Sequence, residues 1–348
     1  MRPKKSTLRE LADATGLSVP TVSRALGGHA DIAKATRERV AEAARQLNYV
    51  PNRAARMLVS GRSGSVGMVL PVTGPDFLDY FLGAIISGLA EGLAQAGVDL
   101  SISAAPPGQT ELETLTRLVD SGRVDGVVLT RTKPADPRAL LLAERRLPFL
   151  CFGRTGVEGH PFIDADGEAV FSDAVARMAA FGHRRIALLS MTDGFSYVAH
   201  REAGAVAAAK AAGVSLQVLR RARDDVDGQK QALRALLSQA DRPTALLGLV
   251  DALALTALEV AADMHLSVPG DLSVVGFDNI PVARRAGLAS YEPDNRDIAR
   301  RAGAEVIRML RDPDAPPTAL VTAPEFVARA SLGPAPAPFE LNSGGGTT

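Results

Sequence analysis

Between Leu8 and Leu47 the apolar positions recur every three or four residues, the spacing of helices that bury one face. Leu8, Leu11, Ala12 and Thr15 line a first predicted helix. Thr7-Leu8-Arg9-Glu10 gives it a capping box, with Thr7 as cap and Glu10 reaching back. Gly16 can close that helix in the left-handed conformation. Ser18 caps a second helix, Pro20 sits in its first turn, where a missing N–H costs little, and Gly27-Gly28 ends it. Leu17, Val22 and Leu26 turn inward there, which leaves Val19, Pro20, Thr21, Ser23 and Arg24 along the outer side. A third helix is predicted from about Lys34 to Leu47, with Val40, Ala43, Ala44 and Leu47 on one face, stopped by Asn48-Tyr49-Val50-Pro51. Asn52 to Leu58 is a basic run of helix formers, marginal by itself at that length and able to fold only against a partner or on DNA. Val59 to Gly64 reads as a linker.

Beyond residue 63 the pattern changes to short apolar runs alternating with helical ones. Strands are predicted at Val66–Pro71, Val98–Ala104, Val124–Leu129, Pro148–Phe152, Arg185–Leu189, Ala245–Leu249 and Leu272–Phe277. Helical spacing fills the intervals, as at Leu82, Ile85, Ile86, Leu89 and Leu93, and again from Glu111 to Ser121. Such alternation predicts parallel, doubly wound α/β sheets with sites at the strand C-termini, and the length accommodates two lobes.

Charge separates the two regions. The 348 residues are neutral overall, but residues 1–62 carry 12 Lys/Arg and 5 Asp/Glu, a net +7, while the remainder carries 27 and 34, a net −7. A small basic head on an acidic body suggests that the head alone meets a polyanion. Cys151 is the only cysteine, so no intrachain disulfide can form. Its setting, Phe149-Leu150-Cys151-Phe152, reads as a buried strand with the thiol as core filling. Neither a signal-peptide core nor a membrane-length apolar run is visible, and a soluble cytoplasmic protein is expected. No P-loop or Gly-x-Ser-x-Gly element occurs, the five histidines are scattered, and the glycines from Gly88 to Gly97 fall in a helical pattern. Neither an enzyme nor a cofactor is expected.

A second helix that begins with short side chains and places an arginine one turn later suits the DNA major groove; the competing reading is a capped surface helix of any small bundle. The surrounding residues decide between them. Thr7-Leu8 through Ala12, Gly16-Leu17-Ser18, Thr21-Val22-Ser23-Arg24, Thr36-Arg37-Glu38-Arg39-Val40, Leu47-Asn48-Tyr49 and Pro51-Asn52 through Ala55 and Leu58 resemble, in order and spacing, the head of the lac repressor family (LacI/GalR). The resemblance continues through Phe181 to Ala187, Arg201-Glu202-Ala203-Gly204, Val268 to Asp278 and the late helix from Asp297 to Leu310. It implies a three-helix helix-turn-helix head with a hinge helix in residues 1–62, then a two-lobed, periplasmic-binding-protein-like sensor over residues 63–334. Lobe 1 is expected at about 63–162 plus 292–323 and lobe 2 at about 163–291 plus 324–334, with a disordered tail at 335–348. The tail lacks leucine heptads, so a homodimer is expected rather than a tetramer.

The same resemblance implies what the residues do. Val19, Pro20 and Arg24 occupy the main base-reading positions, with Thr7, Ser18, Thr21, Ser23, Asn52 and Ala55 also at the DNA, and Leu58 matches the hinge leucine that wedges into the minor groove. The partners implied are a near-palindromic operator and a small-molecule effector, most simply a carbohydrate, bound between the lobes. Arg201 matches an effector-binding arginine, the alternative being a surface arginine on a helix. Asp278 matches an effector-contacting aspartate, the alternative being an Asp-Asn turn. Phe77, Thr130, Arg131 and Phe195 fall where the cleft is expected. Asp166 reads as a hydroxyl acceptor or a helix cap, and its pairing with Asp164 as a metal site lacks further ligands. Three positions depart from the pattern. Ala33 replaces the usual cap of helix three, with Asp31 as a substitute; Val250 precedes Asp251; and Asn295 stands where the lac repressor has an aromatic. Thr130-Arg131-Thr132, Asp136-Pro137-Arg138, Phe152 to Thr155 and Phe162 to Asp166 resemble a subgroup whose members often sit with glycoside or other sugar genes.

Overall fold

The computed structural model describes residues 6–27, 31–49, 61–72 and 79–336. They form two units, divided at Gly64.

The first unit holds three helices: α1 (Leu8–Thr15), α2 (Val19–Leu26) and α3 (Lys34–Gln46). The predicted capping box is present, with the Glu10 amide donating to the Thr7 hydroxyl and the Thr7 amide to the Glu10 carboxylate. Gly16 ends α1 at φ +63°, which allows the abrupt turn into α2. Leu11, Ala12, Val22, Ala25 and Val40 make the core, and Leu17, Leu26, Ala43, Ala44 and Leu47 close around it. Helix α3 differs from expectation at its start: Ala33 is the cap position without a side-chain bond, and Asp31 pairs with Arg24 instead of substituting for the cap.

The second unit begins with a strand–helix alternation: β1 (Ser65–Pro71), α4 (Tyr80–Ala94), β2 (Asp99–Ala105), α5 (Glu111–Asp120), β3 (Gly126–Leu129), α6 (Pro137–Glu144), β4 (Phe149–Phe152) and β5 (Phe162–Ala165). It continues as α7 (Gly167–Ala180), β6 (Arg185–Met191), α8 (Ser196–Ala212), β7 (Ser215–Arg221), α9 (Val226–Leu237), β8 (Ala245–Gly248), α10 (Asp251–Asp263), β9 (Ser273–Phe277), α11 (Pro281–Arg285) and β10 (Ala289–Glu292). The last elements are α12 (Asn295–Arg311), β11 (Ala319–Thr322) and β12 (Glu325–Val327).

Two six-stranded sheets result, in the orders β11-β5-β4-β3-β1-β2 and β12-β10-β9-β8-β6-β7. Every pairing is parallel except β10 with β12. Helices cover the strands, so β1, β3, β4, β6, β8 and β9 are buried almost end to end, as parallel strands packed on both faces must be. Cys151 lies in this core, and burial pushes its thiol well above the usual range, so it is inert filling.

The chain passes between the sheets after β5, after β10 and between β11 and β12. Because Phe162–Ala165 pairs with β4 and β11, the first passage follows Ala165 and not residue 162. The C-terminal segment also departs from expectation at its start. The Ala335 amide donates to the Phe181 carbonyl at 2.8 Å, while His183, buried, contacts the Thr244 and Ser273 hydroxyls and the Gly333 carbonyl. The rest of the expected disordered tail, residues 337–348, lies outside the described residues.

One packing detail positions the site. A Cβ on Gly88 would come within 2.2 Å of the Arg296 carbonyl oxygen, and one on Gly92 within 2.3 Å of the Arg300 carbonyl oxygen. With glycine at both places, α4 and α12 run side by side in the same direction, backbone against backbone, so their first residues arrive together at the edge of the cleft.

Candidate functional site: a DNA-facing helix and an interlobe cleft

In the first unit, the predicted outer side of α2 is open. Ser18, Val19, Pro20, Ser23 and Arg24 are exposed, Thr21 is half-buried, and Val22 and Ala25 anchor the helix from beneath. The Ser18 hydroxyl accepts from the Thr21 amide and shares a 2.8 Å hydrogen bond with the Thr21 hydroxyl. Thr7, capping α1, is exposed. Asn52, Ala55 and Leu58, with the expected hinge helix, lie outside the described residues.

In the second unit, the C-terminal ends of strands from both sheets face a cavity of about 160 Å³. Arg201, on α8, enters it buried among aromatic rings, its guanidinium carbon 3.8 Å from the Phe277 ring centroid and 4.8 Å from that of Tyr197. Such stacking holds a planar guanidinium that lysine could not replace. Arg201 Nη1 donates to the Leu249 carbonyl at 2.6 Å. Among the described residues, Arg201 Nε, Ser196 Oγ and Asp193 Oδ2 are buried without a hydrogen-bond partner. Burial lowers the pKa of the guanidinium, and the facing Asp278 offsets part of that shift.

Asp278 follows β9 at φ +116°, its amide donating to the Tyr291 carbonyl. Burial pushes its carboxyl up to about 7, against the lowering effect of Arg201. Its loop is held from behind by Asp251, fully buried, which accepts from the Ser290 hydroxyl at 2.6 Å and the Ile280 amide at 2.8 Å. Asp251 is thus a structural residue.

A chain of charges closes one edge of the cleft. Asp79 Oδ1 caps α4, and Oδ2 accepts from Arg131 at 2.5 Å and from Arg223, which follows β7 in the other lobe. Arg131 is at φ +51°, in a loop fixed by Arg138, whose guanidinium reaches both oxygens of Asp136 and the carbonyls of Thr130 and Arg131. The Asp136-Pro137-Arg138 stretch therefore positions Arg131.

Of the expected effector residues, Arg131, Arg201 and Asp278 come together in the cleft. Thr130 is buried behind it, and Phe195 is the residue before α8, stacked on Tyr197 and under Lys133. Asp166 caps α7 by accepting from the Ala169 amide, while Asp164 pairs with Arg154 at 2.8 Å, so the two carboxylates have separate tasks. Phe77 lies outside the described residues. Sequence reading missed Tyr197, although it stands four residues before Arg201 and so shares its helix face. It also missed Asp79 and Arg223; Arg223 sits in a loop with no periodic signal.

Comparison with known proteins agrees with this arrangement. The family described as "Bacterial regulatory proteins, lacI family" matches residues 7–52, and the "Periplasmic binding protein-like domain" matches residues 175–332. The HTH-type transcriptional regulator AglR of Rhizobium meliloti (strain 1021) is 34% identical over 340 residues, covering 94% of this chain and 95% of AglR. A solved transcriptional regulator CelR–cellobiose complex superimposes with a TM-score of 0.70 at 27% identity, covering 94% of this chain and 100% of that one. The fold is also that of the lac repressor dimer bound to operator and the anti-inducer ONPF, with a TM-score of 0.79 at 23% identity over 94% of this chain and 99% of that one. An exposed α2 on a compact three-helix head, joined in sequence to a two-sheet unit with a ligand-sized cleft, matches these relatives over nearly the full chain: the protein belongs to the lacI family of bacterial regulatory proteins and is a DNA-binding transcriptional regulator, not an enzyme.

Proposed function

We propose that the protein represses carbohydrate-utilisation genes and that a sugar or glycoside in the interlobe cleft switches its operator affinity. The observation that carries this reading is Arg201: a buried, ring-stacked guanidinium with an unpartnered Nε beside the Asp278 carboxyl. Hydroxyl oxygens accept from such a donor, hydroxyl hydrogens satisfy such an acceptor, and the Phe277 and Tyr197 rings suit the C–H face of a pyranose. The CelR complex with cellobiose supports the same ligand class in a related cleft.

The protein works as a homodimer on a near-palindromic operator, because two equal heads read two equal half-sites. Val19 and Pro20 have no side-chain donors and read shape and thymine methyls, while Arg24 pairs with guanine. A regulator acting on operator DNA works in the cytoplasm.

The ligand acts by changing the angle between the lobes, a coupling of about 1–3 kcal/mol that must be reciprocal between sugar and DNA. A gel-shift titration on DNA from its own upstream region, with and without a panel of sugars, tests this. At least one sugar shifts the midpoint by about fivefold or more; a midpoint that no carbohydrate moves overturns the reading.

A further inference from the structure

We infer that the effector contains at least two linked sugar rings, one in the inner cavity and the next in an adjoining chamber built on the crossings between the lobes. This deepens the carbohydrate reading above and rests on it.

Size gives the first reason. The inner cavity holds about 160 Å³. An apolar protein cavity of about 150 Å³ accommodates a single benzene ring. The inner cavity is therefore of single-ring scale, and a ligand of two rings extends beyond it.

The way out is the second reason. A second chamber of about 570 Å³ adjoins the first, and the two share Tyr80, Asp278, Pro293, Asn295 and Ile298 as common walls. Tyr80 and Ile298 offer apolar surface at this doorway, while Asp278 and Asn295 offer a carboxyl and an amide to the hydroxyls flanking a glycosidic bond. The inner cavity is walled largely by aromatic and aliphatic residues. Beyond the doorway stand the Arg284–Glu292 ion pair, Arg301 and Glu325. A ring rich in hydroxyls exchanges water for these groups without stranding them, whereas an apolar group would leave them unpaired.

The chamber's position links occupancy to switching. Glu292 to Asn295 and Thr322 to Glu325, the second and third passages between the lobes, both line it, but the third does not line the inner cavity. A second ring thus touches a crossing that a single ring cannot reach, and ligand length enters the lobe angle directly.

Calorimetry on the full-length protein tests the inference, using the disaccharides cellobiose, maltose, melibiose and trehalose against glucose and galactose. The best disaccharide binds at least about tenfold more tightly than its constituent monosaccharides, the worth of one or two good hydrogen bonds. Asn295→Trp, which fills the doorway, and Arg301→Ala, on the exposed chamber wall, each reduce that ratio toward one. Arg301→Ala serves if the larger substitution disturbs α12. A monosaccharide that binds and switches as well as any disaccharide overturns the two-chamber inference and leaves the carbohydrate reading standing; so does a ratio that neither variant changes. If no carbohydrate of either length binds, both readings fall.

Discussion

Asp79 and Arg223 come from different lobes and meet as an ion pair at the edge of the cleft, with Asp79 also bound to Arg131. Nearby, the Ser196 amide at the start of α8 donates to the Thr132 carbonyl across the same divide at 2.8 Å. Both contacts span the two lobes, so they hold the lobes together at this edge of the cleft. A partly exposed pair contributes at most about 1 kcal/mol, or about fivefold in the ratio of closed to open. Arg223→Ala removes this bridge without touching the cap that Asp79 provides to α4. It speeds hydrogen exchange at the Ser196 amide by up to about that factor, while exchange in the core of β6 is unchanged. Equal protection of Ser196 in the variant and the parent would show that the pair holds nothing shut.

Arg24 meets Asp31 in the free head, so on the proposed reading its guanidinium exchanges a carboxylate for a base edge on reaching DNA. Both side chains are about half exposed, which keeps the exchange inexpensive. Arg24→Ala weakens specific operator binding by roughly 1–3 kcal/mol. Asp31→Ala acts in the opposite direction, tightening binding by up to about fivefold, because it frees Arg24 and removes a negative charge from a surface that approaches phosphates. Fluorescence anisotropy at one fixed salt concentration reads both. An Asp31 variant that binds more weakly would mean that the pair orients Arg24 for the groove.

The head was legible in the sequence because its signals are local. A capping box, a left-handed glycine and apolar positions three or four apart each act within one turn of helix, and α1 and α2 form where those signals put them. Strands buried on both faces were equally legible as apolar runs. The cleft was less so, because its groups converge from distant segments. Arg201 and Asp278 were found through family likeness, but Asp79 and Arg223 are 144 positions apart and nothing in either neighbourhood marks their meeting. Near Arg201 the sequence pointed to Phe195, which precedes the helix and stacks on Tyr197, whereas Tyr197 is in phase with Arg201 and lines the cavity. The strands β5, β7, β10, β11 and β12, at or next to the sheet edges, had no periodicity strong enough to announce them, and the crossing after β5 was placed a few residues early in consequence.

Arg201 serves two purposes, which changes what its removal does. It satisfies the Leu249 carbonyl and fills the space between Phe277, Tyr197 and Phe171. Arg201→Ala leaves that carbonyl unpaired and opens a cavity, at a combined cost of about 2–4 kcal/mol. Thermal melts of the full chain therefore show a lower transition for Arg201→Ala, together with loss of sugar binding if the cleft takes the proposed ligand. Arg201→Lys retains the charge and much of the stem but loses the planar stack, so it recovers more stability than sugar affinity. Equal recovery of both would mean that the fork geometry of the guanidinium is immaterial to the ligand.

Asp278 makes the stability of the sensor depend on pH in the direction opposite to most carboxylates. Its folded pKa is raised to about 7 by burial, with Arg201 opposing and Asp251 and Asp79 adding to the rise. In the unfolded chain an aspartate titrates near 3.9. Between about pH 4 and 7 the folded state therefore holds a proton that the unfolded state has released. The contribution of this group is fully present at low pH and is lost as pH rises through about 7. Carboxylates held low by their partners, such as Asp136 beside Arg138 and Glu202 beside Arg220, do the reverse at acid pH, so the total curve does not isolate Asp278. Comparison with Asp278→Asn does, because the amide keeps the shape and cannot ionise. From pH 5 to pH 8 the melting temperature of the parent falls relative to that of the variant, most steeply below pH 7 and levelling off above it. Sugar binding adds a second readout: a hydroxyl that donates to the ionised carboxylate binds more tightly above pH 7 in the parent and independently of pH in the variant. A difference in melting temperature that stays constant across the range would show that Asp278 is already ionised throughout it, and that the cleft presents a permanent charge to its ligand.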